Sequence, residues 1–94
     1  MKTMSLTACP QRQPQIIKQE AGGTVVLLNL DDGKYFALDE VGGRIWELCD
    51  GSRTVSEIAR FLGDEYEAPA ETIEQDLMEL LSDLAHEKLV AENP

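Results

Sequence analysis

One stretch of the sequence, residues 28–47, constrains the fold more than any other. It reads LNLDDGKYFALDEVGGRIWE, and its apolar residues follow a period of 2 up to Leu38 and helical spacing from Val41 onward. The Asp-Asp-Gly sequence at 31–33 is typical of a hairpin turn. The stretch therefore predicts two antiparallel strands that lead directly into a helix. Because a hairpin and one helix cannot bury both of their apolar faces alone, we expect a later element to cover them.

Signals on either side of this stretch predict three strands followed by three helices. β-Branched and other apolar residues predict strands at 15–19 and 24–30, and the returning strand of the hairpin covers 34–38. Three residues have the chemistry of a helix start: Asp39 as an N-cap, Thr54 in a Thr-x-x-Glu capping box, and Pro69 in a first turn. The predicted fold class is α+β, a winged helix-turn-helix-like arrangement in which a three-stranded antiparallel sheet precedes three helices.

Apolar stripes on the helices predict the core. The first helix is expected to bury one stripe, with Trp46 at its border: Val41, Ile45, Leu48 and Cys49. The second is expected to bury Ile58, Ala59, Leu62 and either Phe61 or Tyr66, and the third Ile73, Leu77, Leu80, Leu81 and Leu84. The adjacent glycines Gly42 and Gly43 indicate either the close approach of another segment or fraying of the first turn.

The two ends of the chain differ in their predicted order. Residues 1–14 contain Pro10 and Pro14 and show no periodicity, so we predict a flexible N-terminal tail. Residues 15–94 are predicted to form a single domain, with a short last strand at 89–91. The chain has 94 residues, 43% of them apolar, which suffices for one modest core but not for a deep catalytic cavity as well.

The acidic composition disfavours polyanionic partners. Eighteen Asp and Glu residues stand against eight Lys and Arg, for a formal charge of −10. Proteins bind nucleic acids and anionic membranes largely through Lys and Arg, and an acidic surface repels both. No run of residues approaches the ~18 apolar residues of a membrane span. We therefore expect no nucleic-acid partner, no membrane association and a cytoplasmic location.

Residues that could perform catalysis or hold a cofactor are sparse. His86 is the single histidine, and Cys9 and Cys49 do not form a C-x-x-C pair. Cys49 lies on an apolar helical stripe, where a buried cysteine is more common than a reactive one. No serine elbow, phosphate loop or metal pair is present in the sequence. We expect a protein that is not an enzyme and that needs no metal and no cofactor.

Peptide capture is a function that the predicted architecture allows. If the strand at 34–38 lies at a sheet edge, its free N–H and C=O groups can pair with an added strand. A helix beside that edge would turn it into a groove with pockets for alternate side chains. The alternative is that neighbouring loops simply cover the edge, and the sequence pattern favours neither.

The segment DGKYFALDEVGGRIWELCDGSRTVSEI, residues 32–58, resembles the PqqD-like family of RiPP recognition elements. RiPPs are ribosomally made, post-translationally modified peptides. The resembling features are a hairpin turn, Y-F-x-L, D-E-V-G, an I-W-E-L helix, D-G and a T-V-x-E-I capping box. The resemblance continues through the acidic third helix to Leu89 and Val90, about residues 15–91 in all. No single piece is specific, but their order and spacing are.

This resemblance implies that residues 15–94 form a winged-helix domain that binds the leader segment of a precursor peptide. In the family, the leader adds as an antiparallel strand to the last strand of the sheet, here Lys34, Tyr35, Phe36, Ala37 and Leu38. The third helix closes the cleft, here with Asp76, Glu79, Leu80 and Asp83. The acidic members of that set either pair with basic leader residues or only keep the helix solvated.

The resemblance also implies a processing enzyme as a partner. The Y-F-x-L-D-E-V-G version is similar to the discrete recognition proteins of lasso-peptide-type pathways, whose partner is a leader protease. The alternative is pyrroloquinoline quinone biosynthesis, where a radical-SAM enzyme receives the precursor. A winged-helix transcription regulator is the rival from another functional class. An open strand edge also predicts a weak homodimer in the absence of a peptide.

Overall fold

The predicted order of sheet strands followed by three helices is confirmed in a computed structural model, which describes residues 4–93. In chain order the elements are β1 (Cys9–Arg12), β2 (Ile16–Ala21), β3 (Thr24–Asn29), β4 (Tyr35–Leu38), α1 (Glu40–Leu48), α2 (Val55–Tyr66), α3 (Ala70–His86) and β5 (Val90–Asn93). Strands β2, β3 and β4 form the predicted three-stranded antiparallel sheet, with β3 in the centre. Strands β1 and β5 form a second, two-stranded sheet.

The three-stranded sheet presents one face to the core. Along β3 every second residue is buried, at Val25, Leu27 and Asn29. The cross-strand register places Phe36 opposite Leu27 and Leu38 opposite Val25, so these side chains share the inner face with them. Helix α1 packs against β3 and β4 on this same side. The opposite face of the sheet, called the outer face below, carries no helix of residues 4–93.

The predicted flexible tail at 1–14 is wrong for its described part. Strand β1 pairs with β5 in antiparallel register, Cys9 opposite Asn93 and Arg12 opposite Val90. Ahead of β1, the Ala8 carbonyl accepts a hydrogen bond of 2.9 Å from the Val55 amide at the start of α2, and Ala8 is buried. Strand β1 has only four residues, too few for a period to show in the sequence, and its partner strand β5 lies about eighty residues further along the chain. Residues 1–3 of the predicted tail lie outside the described residues.

The predicted caps of α1 and α2 are confirmed. The Asp39 carboxylate accepts a hydrogen bond of 2.7 Å from the Gly42 amide, so Asp39 is the N-cap of α1. Thr54 and Glu57 form both hydrogen bonds of the capping box, side chain to backbone in each direction. Helix α3 starts one residue after Pro69, which has no side-chain hydrogen bond to offer as a cap.

The burial of α1 and α2 differs from the prediction at four aromatic or aliphatic positions. Trp46, expected at the border of the α1 stripe, is buried with 4% exposure, whereas Val41 is 39% exposed. Phe61 and Tyr66 of α2 are both exposed. Trp46 lies beside the segment ahead of β2, from which Arg12 donates hydrogen bonds to the Trp46 and Glu47 carbonyls. Val41 instead faces a groove that is described below.

Apolar stripes on otherwise polar helices supply most of the core. The fully buried residues of α3 are Leu77, Leu81 and Leu84, whereas Ile73 and Leu80, also predicted to be buried, are only partly buried. Cys49 is completely buried, as predicted, and burial raises the pKa of its thiol to about 12. None of the helices formed by residues 4–93 is long and apolar enough to span a bilayer.

The glycine pair in α1 marks a close approach. A Cβ atom at Gly43 would lie 2.5 Å from Cγ2 of Val25 in the centre of the sheet. Only a residue without a side chain lets the helix backbone rest directly on β3 at this point. Of the two readings that the sequence leaves open for this pair, close approach is therefore the one that the structure supports.

Gly43→Ala is expected to destabilise the protein although alanine favours helix. The gain in helix propensity is about 1 kcal/mol, while the forced displacement of Val25 costs about 1–3 kcal/mol. Gly63→Ala in α2 is the matched control, because a Cβ atom there meets only the Ala68 carbonyl oxygen at 3.7 Å. Urea denaturation should show a lower midpoint for Gly43→Ala and a higher one for Gly63→Ala. Equal midpoints would contradict the close approach.

Candidate functional site

Strand β4 lies at an edge of the sheet, and half of its backbone hydrogen-bonding groups are free. The Asn29 amide donates a 2.9 Å hydrogen bond to the Lys34 carbonyl, which identifies Asn29 and Lys34 as a hydrogen-bonded pair. Because such pairs alternate along antiparallel strands, Phe36 and Leu38 also bond to β3. The N–H and C=O groups of Tyr35 and Ala37 therefore point away from the sheet. This edge can accept another strand.

A groove runs along this edge between β4 and α3. It encloses about 540 Å³. Its walls come from three elements: β4, the first turns of α1, and one face of α3. The lining residues are Phe36, Ala37, Leu38, Asp39, Val41, Gly42, Ile45, Asp76, Glu79, Leu80 and Asp83.

Helix α3 contributes two neighbouring stripes with different tasks. Asp76, Glu79 and Leu80, with Asp83 one turn later, recur at helical spacing and line the groove. The adjacent stripe of Leu77, Leu81 and Leu84 is fully buried in the core. Burial of the leucine stripe sets the rotation of the helix, and this rotation directs the acidic stripe into the groove.

The groove combines an apolar base with an acidic border. Val41, Ile45 and Leu80 supply aliphatic surface, and Val41 and Leu80 remain partly accessible. The carboxylates of Asp39, Asp76, Glu79 and Asp83 lie around it. Asp39 already accepts the hydrogen bond that caps α1, whereas no ion pair engages the three carboxylates of α3 within residues 4–93. The lining contains no Lys or Arg. Such a groove suits an extended peptide that carries apolar side chains and at least one basic side chain.

The structure brings most of the predicted site residues together. Phe36, Ala37 and Leu38 of β4 face Asp76, Glu79, Leu80 and Asp83 of α3 across the groove. Two predicted residues stand apart from the lining. Lys34 belongs to the turn, where its amide donates a hydrogen bond to the Asp32 carboxylate, and the Tyr35 side chain is 75% exposed on the outer face of the sheet.

Sequence reasoning missed the contribution of α1 to the groove. Asp39, Val41, Gly42 and Ile45 line it in addition to the predicted residues. The available signal was the direct passage from β4 into α1, because a helix that is separated from an edge strand by a single residue must flank that edge. The reading of Val41 as a core residue concealed this role.

A comparison with known protein families matches a segment of the chain that includes both walls of the groove. A family model described as "Coenzyme PQQ synthesis protein D (PqqD)" matches residues 24–90. The chain belongs to the PqqD family. The matched residues run from the start of β3 to the start of β5, so they include β4, α1 and α3. The resemblance seen in the sequence is confirmed.

Known relatives are similar over part or nearly all of this chain. The "Bifunctional coenzyme PQQ synthesis protein C/D" of Methylorubrum extorquens is 38% identical over 55 residues, 58% of this chain, and the match covers only 15% of that protein. A "PqqA binding protein" of Xanthomonas campestris is 28% identical over 90 residues, 96% of this chain and 98% of its own length.

Two solved structures of related proteins share the fold. TbiB1, in complex with the TbiA(β) leader peptide, is 35% identical with a TM-score of 0.76, over 85% of this chain and 93% of that one. The PqqD part of Methylobacterium extorquens PqqCD is 30% identical with a TM-score of 0.74, over 87% of each chain. That protein is described as a stand-alone RiPP recognition element.

Amide hydrogen exchange tests the division of hydrogen bonds along β4. We expect the Phe36 amide to exchange at least about tenfold more slowly than those of Tyr35 and Ala37, because only the first is bonded within the sheet. Proton–deuterium exchange followed by NMR on the isolated protein gives the three rates side by side. Equal protection at all three positions would mean that the edge is covered.

Proposed function

We propose that this protein binds the leader segment of a ribosomally made precursor peptide as an added strand on β4. The observation that carries the proposal is the edge of β4, where the outward backbone groups of Tyr35 and Ala37 border a groove of about 540 Å³. TbiB1 binds a leader peptide, and relatives of similar length are named PqqA binding proteins. Both support the same function for this member of the family.

The bound strand would divide its side chains between two faces. In an antiparallel pair, residues directly opposite each other share a face. Leader residues opposite Phe36 and Leu38 therefore enter the groove, and those opposite Tyr35 and Ala37 point to the outer face. Tyr35 and Ala37 together offer four backbone hydrogen bonds to the guest. At about 1 kcal/mol each these amount to about 4 kcal/mol, a Kd of about 1 mM, so tighter binding requires the groove.

The groove predicts the kind of leader that it accepts. Side chains that reach Val41, Ile45 and Leu80 should be apolar, and they should recur at every second position of the leader. A Lys or Arg beside them can pair with Asp76, Glu79 or Asp83. Since these carboxylates lie at a solvated border, the ion pairs should set specificity and association rate more than total affinity.

The protein itself is proposed to be a non-catalytic carrier that delivers the leader to a processing enzyme. A leader protease of a lasso-peptide-type pathway is the proposed recipient, and the Y-F-x-L-D-E-V-G sequence of β4 and the start of α1 supports it. A radical-SAM enzyme of pyrroloquinoline quinone biosynthesis is the alternative, which the matched family model and a relative, both named for coenzyme PQQ synthesis, support. Neither proposed role requires a metal or cofactor of the carrier's own.

The rival function, a winged-helix transcription regulator, is disfavoured by the charge of α3. In that function α3 would enter the major groove of DNA, where Asp76, Glu79 and Asp83 would approach acceptor-rich base edges and phosphates. Measurable duplex binding with a steep dependence on salt would support the regulator instead.

Blocking the edge of β4 should abolish strand addition without unfolding the sheet. Ala37→Pro removes an outward N–H and places the proline ring where the guest backbone would lie, so leader affinity should fall at least about tenfold. Lys18→Pro is the control, because the Lys18 amide also points outward, at the opposite edge on β2. Fluorescence anisotropy with labelled leaders from the adjacent reading frames measures both. An unchanged affinity of Ala37→Pro would place the peptide elsewhere.

Changing the α3 wall of the groove should separate its apolar and acidic contributions. Leu80→Glu puts a charge against apolar guest side chains and should weaken binding at least about tenfold. Asp76→Lys should weaken it only about two- to fivefold for a leader with a basic residue. Gln75→Glu and Gln75→Lys are the matched controls, since Gln75 lies on α3 beside the groove lining. Circular dichroism should show cooperative unfolding for all four. Equal losses for the Leu80 and Gln75 variants would contradict the assignment.

A further inference from the structure

The outer face of the three-stranded sheet carries no charged side chain. The register of β2, β3 and β4 assigns to it every second residue of each strand: Ile17, Gln19, Ala21, Thr24, Val26, Leu28, Tyr35 and Ala37. In the chain as a whole 28% of residues are charged. The intervening residues Lys18 and Glu20 of β2 are charged and belong to the other side of the same strand. The absence of charge is therefore a property of this face and not of the strands.

This face is apolar at its centre and open. Ile17, Leu28 and Tyr35 lie opposite one another and form a row across all three strands, and Val26 and Ala37 form part of the next row. Ile17 is 42% exposed and Tyr35 is 75% exposed, and no helix of residues 4–93 packs on them. A contiguous apolar surface that excludes charge is typical of the centre of a protein–protein interface.

The charges around the face indicate what kind of partner it fits. The β3–β4 turn at one end carries Asp31 and Asp32 against Lys34, and all three are exposed. A second copy of this chain would bring another net charge of −10 and the same acidic turn, so self-association is opposed by repulsion. A different protein, with an apolar patch bordered by Lys or Arg, is complementary.

The outer face is continuous with the proposed peptide edge. Tyr35 and Ala37 present their backbone groups to the added strand and their side chains to the outer face. Guest residues opposite these two would add a fourth strand of side chains to the same surface. A partner on this face would thus contact carrier and cargo together, which is what an enzyme that acts on the loaded carrier requires.

We propose that the outer face is the docking surface for the processing enzyme, and that the bound leader strand extends it. This proposal rests on the proposed function for the role of the partner. It places the enzyme on the side of the sheet opposite the helices, so that enzyme and α3 approach the leader from different faces. Leader side chains that do not enter the groove are then the ones available to the enzyme.

A single charge on this face tests the proposal. Ile17→Glu adds a carboxylate to the central row at the edge far from β4, and Gln75→Glu on α3 adds the same charge elsewhere. A leader protease and a radical-SAM enzyme, the two proposed recipients, are each titrated against each labelled carrier with and without leader. We expect Ile17→Glu to lower enzyme affinity at least about tenfold, and Gln75→Glu to leave it unchanged. Leader affinity, measured separately by anisotropy, should stay within about twofold of wild type for both.

Three results would contradict the docking proposal, and a fourth would contradict the proposed function. Equal enzyme affinity of Ile17→Glu and Gln75→Glu, or no enzyme binding by the wild-type carrier, overturns the docking proposal. A wild-type dimer in sedimentation that Ile17→Glu dissociates would mean that a second copy covers the face, which also overturns it. Absence of leader binding by the wild type would instead overturn the proposed function, since the enzyme titration without leader is independent of it.

Discussion

The contact between Gly43 and Val25 is the constraint on which the rest of the site depends. It lets the backbone of α1 rest on the central strand, so that α1 starts directly beside the edge of the sheet. Because α1 lies this close to the sheet, its exposed Val41 and buried Ile45 form the base of the groove. A larger residue at position 43 would lift the helix from the sheet, which would disturb core packing and groove shape together.

Strand β4 and helix α3 each serve the core and the groove with alternate residues. In β4 the backbone groups of Phe36 bond inward while those of Ala37 point outward, a consequence of antiparallel geometry. In α3 the leucine stripe fills the core, and the acidic stripe beside it faces the cleft. Stability and recognition are therefore encoded in the same two elements without sharing the same groups.

The sequence predicted the local features well, since each depends on neighbouring residues. The Asp39 cap, the Thr54 capping box and the helical spacing of Asp76 to Asp83 are all of this kind. What it could not predict depends on distant partners. Strand β1 exists because β5 is present at the other end of the chain, and Val41 faces a cleft because α3 stands apart from β4. The choice between close approach and fraying at Gly42 and Gly43 likewise depended on the position of Val25, which the sequence does not show.

The pairing of β1 with β5 has a consequence for how this fold can be joined to other proteins. Cys9 lies opposite Asn93, so the start of β1 and the end of β5 lie side by side. Residues 4–8 continue from β1 to the start of α2, where the Leu6 and Ala8 carbonyls accept hydrogen bonds from the Ser56 and Val55 amides. An additional domain would therefore leave the fold on the side of the small sheet and the start of α2, whether it preceded residue 4 or followed β5. Gene fusions in either order would thus hold the neighbouring domain at a similar position, and the open edge of β4 would not have to be rebuilt.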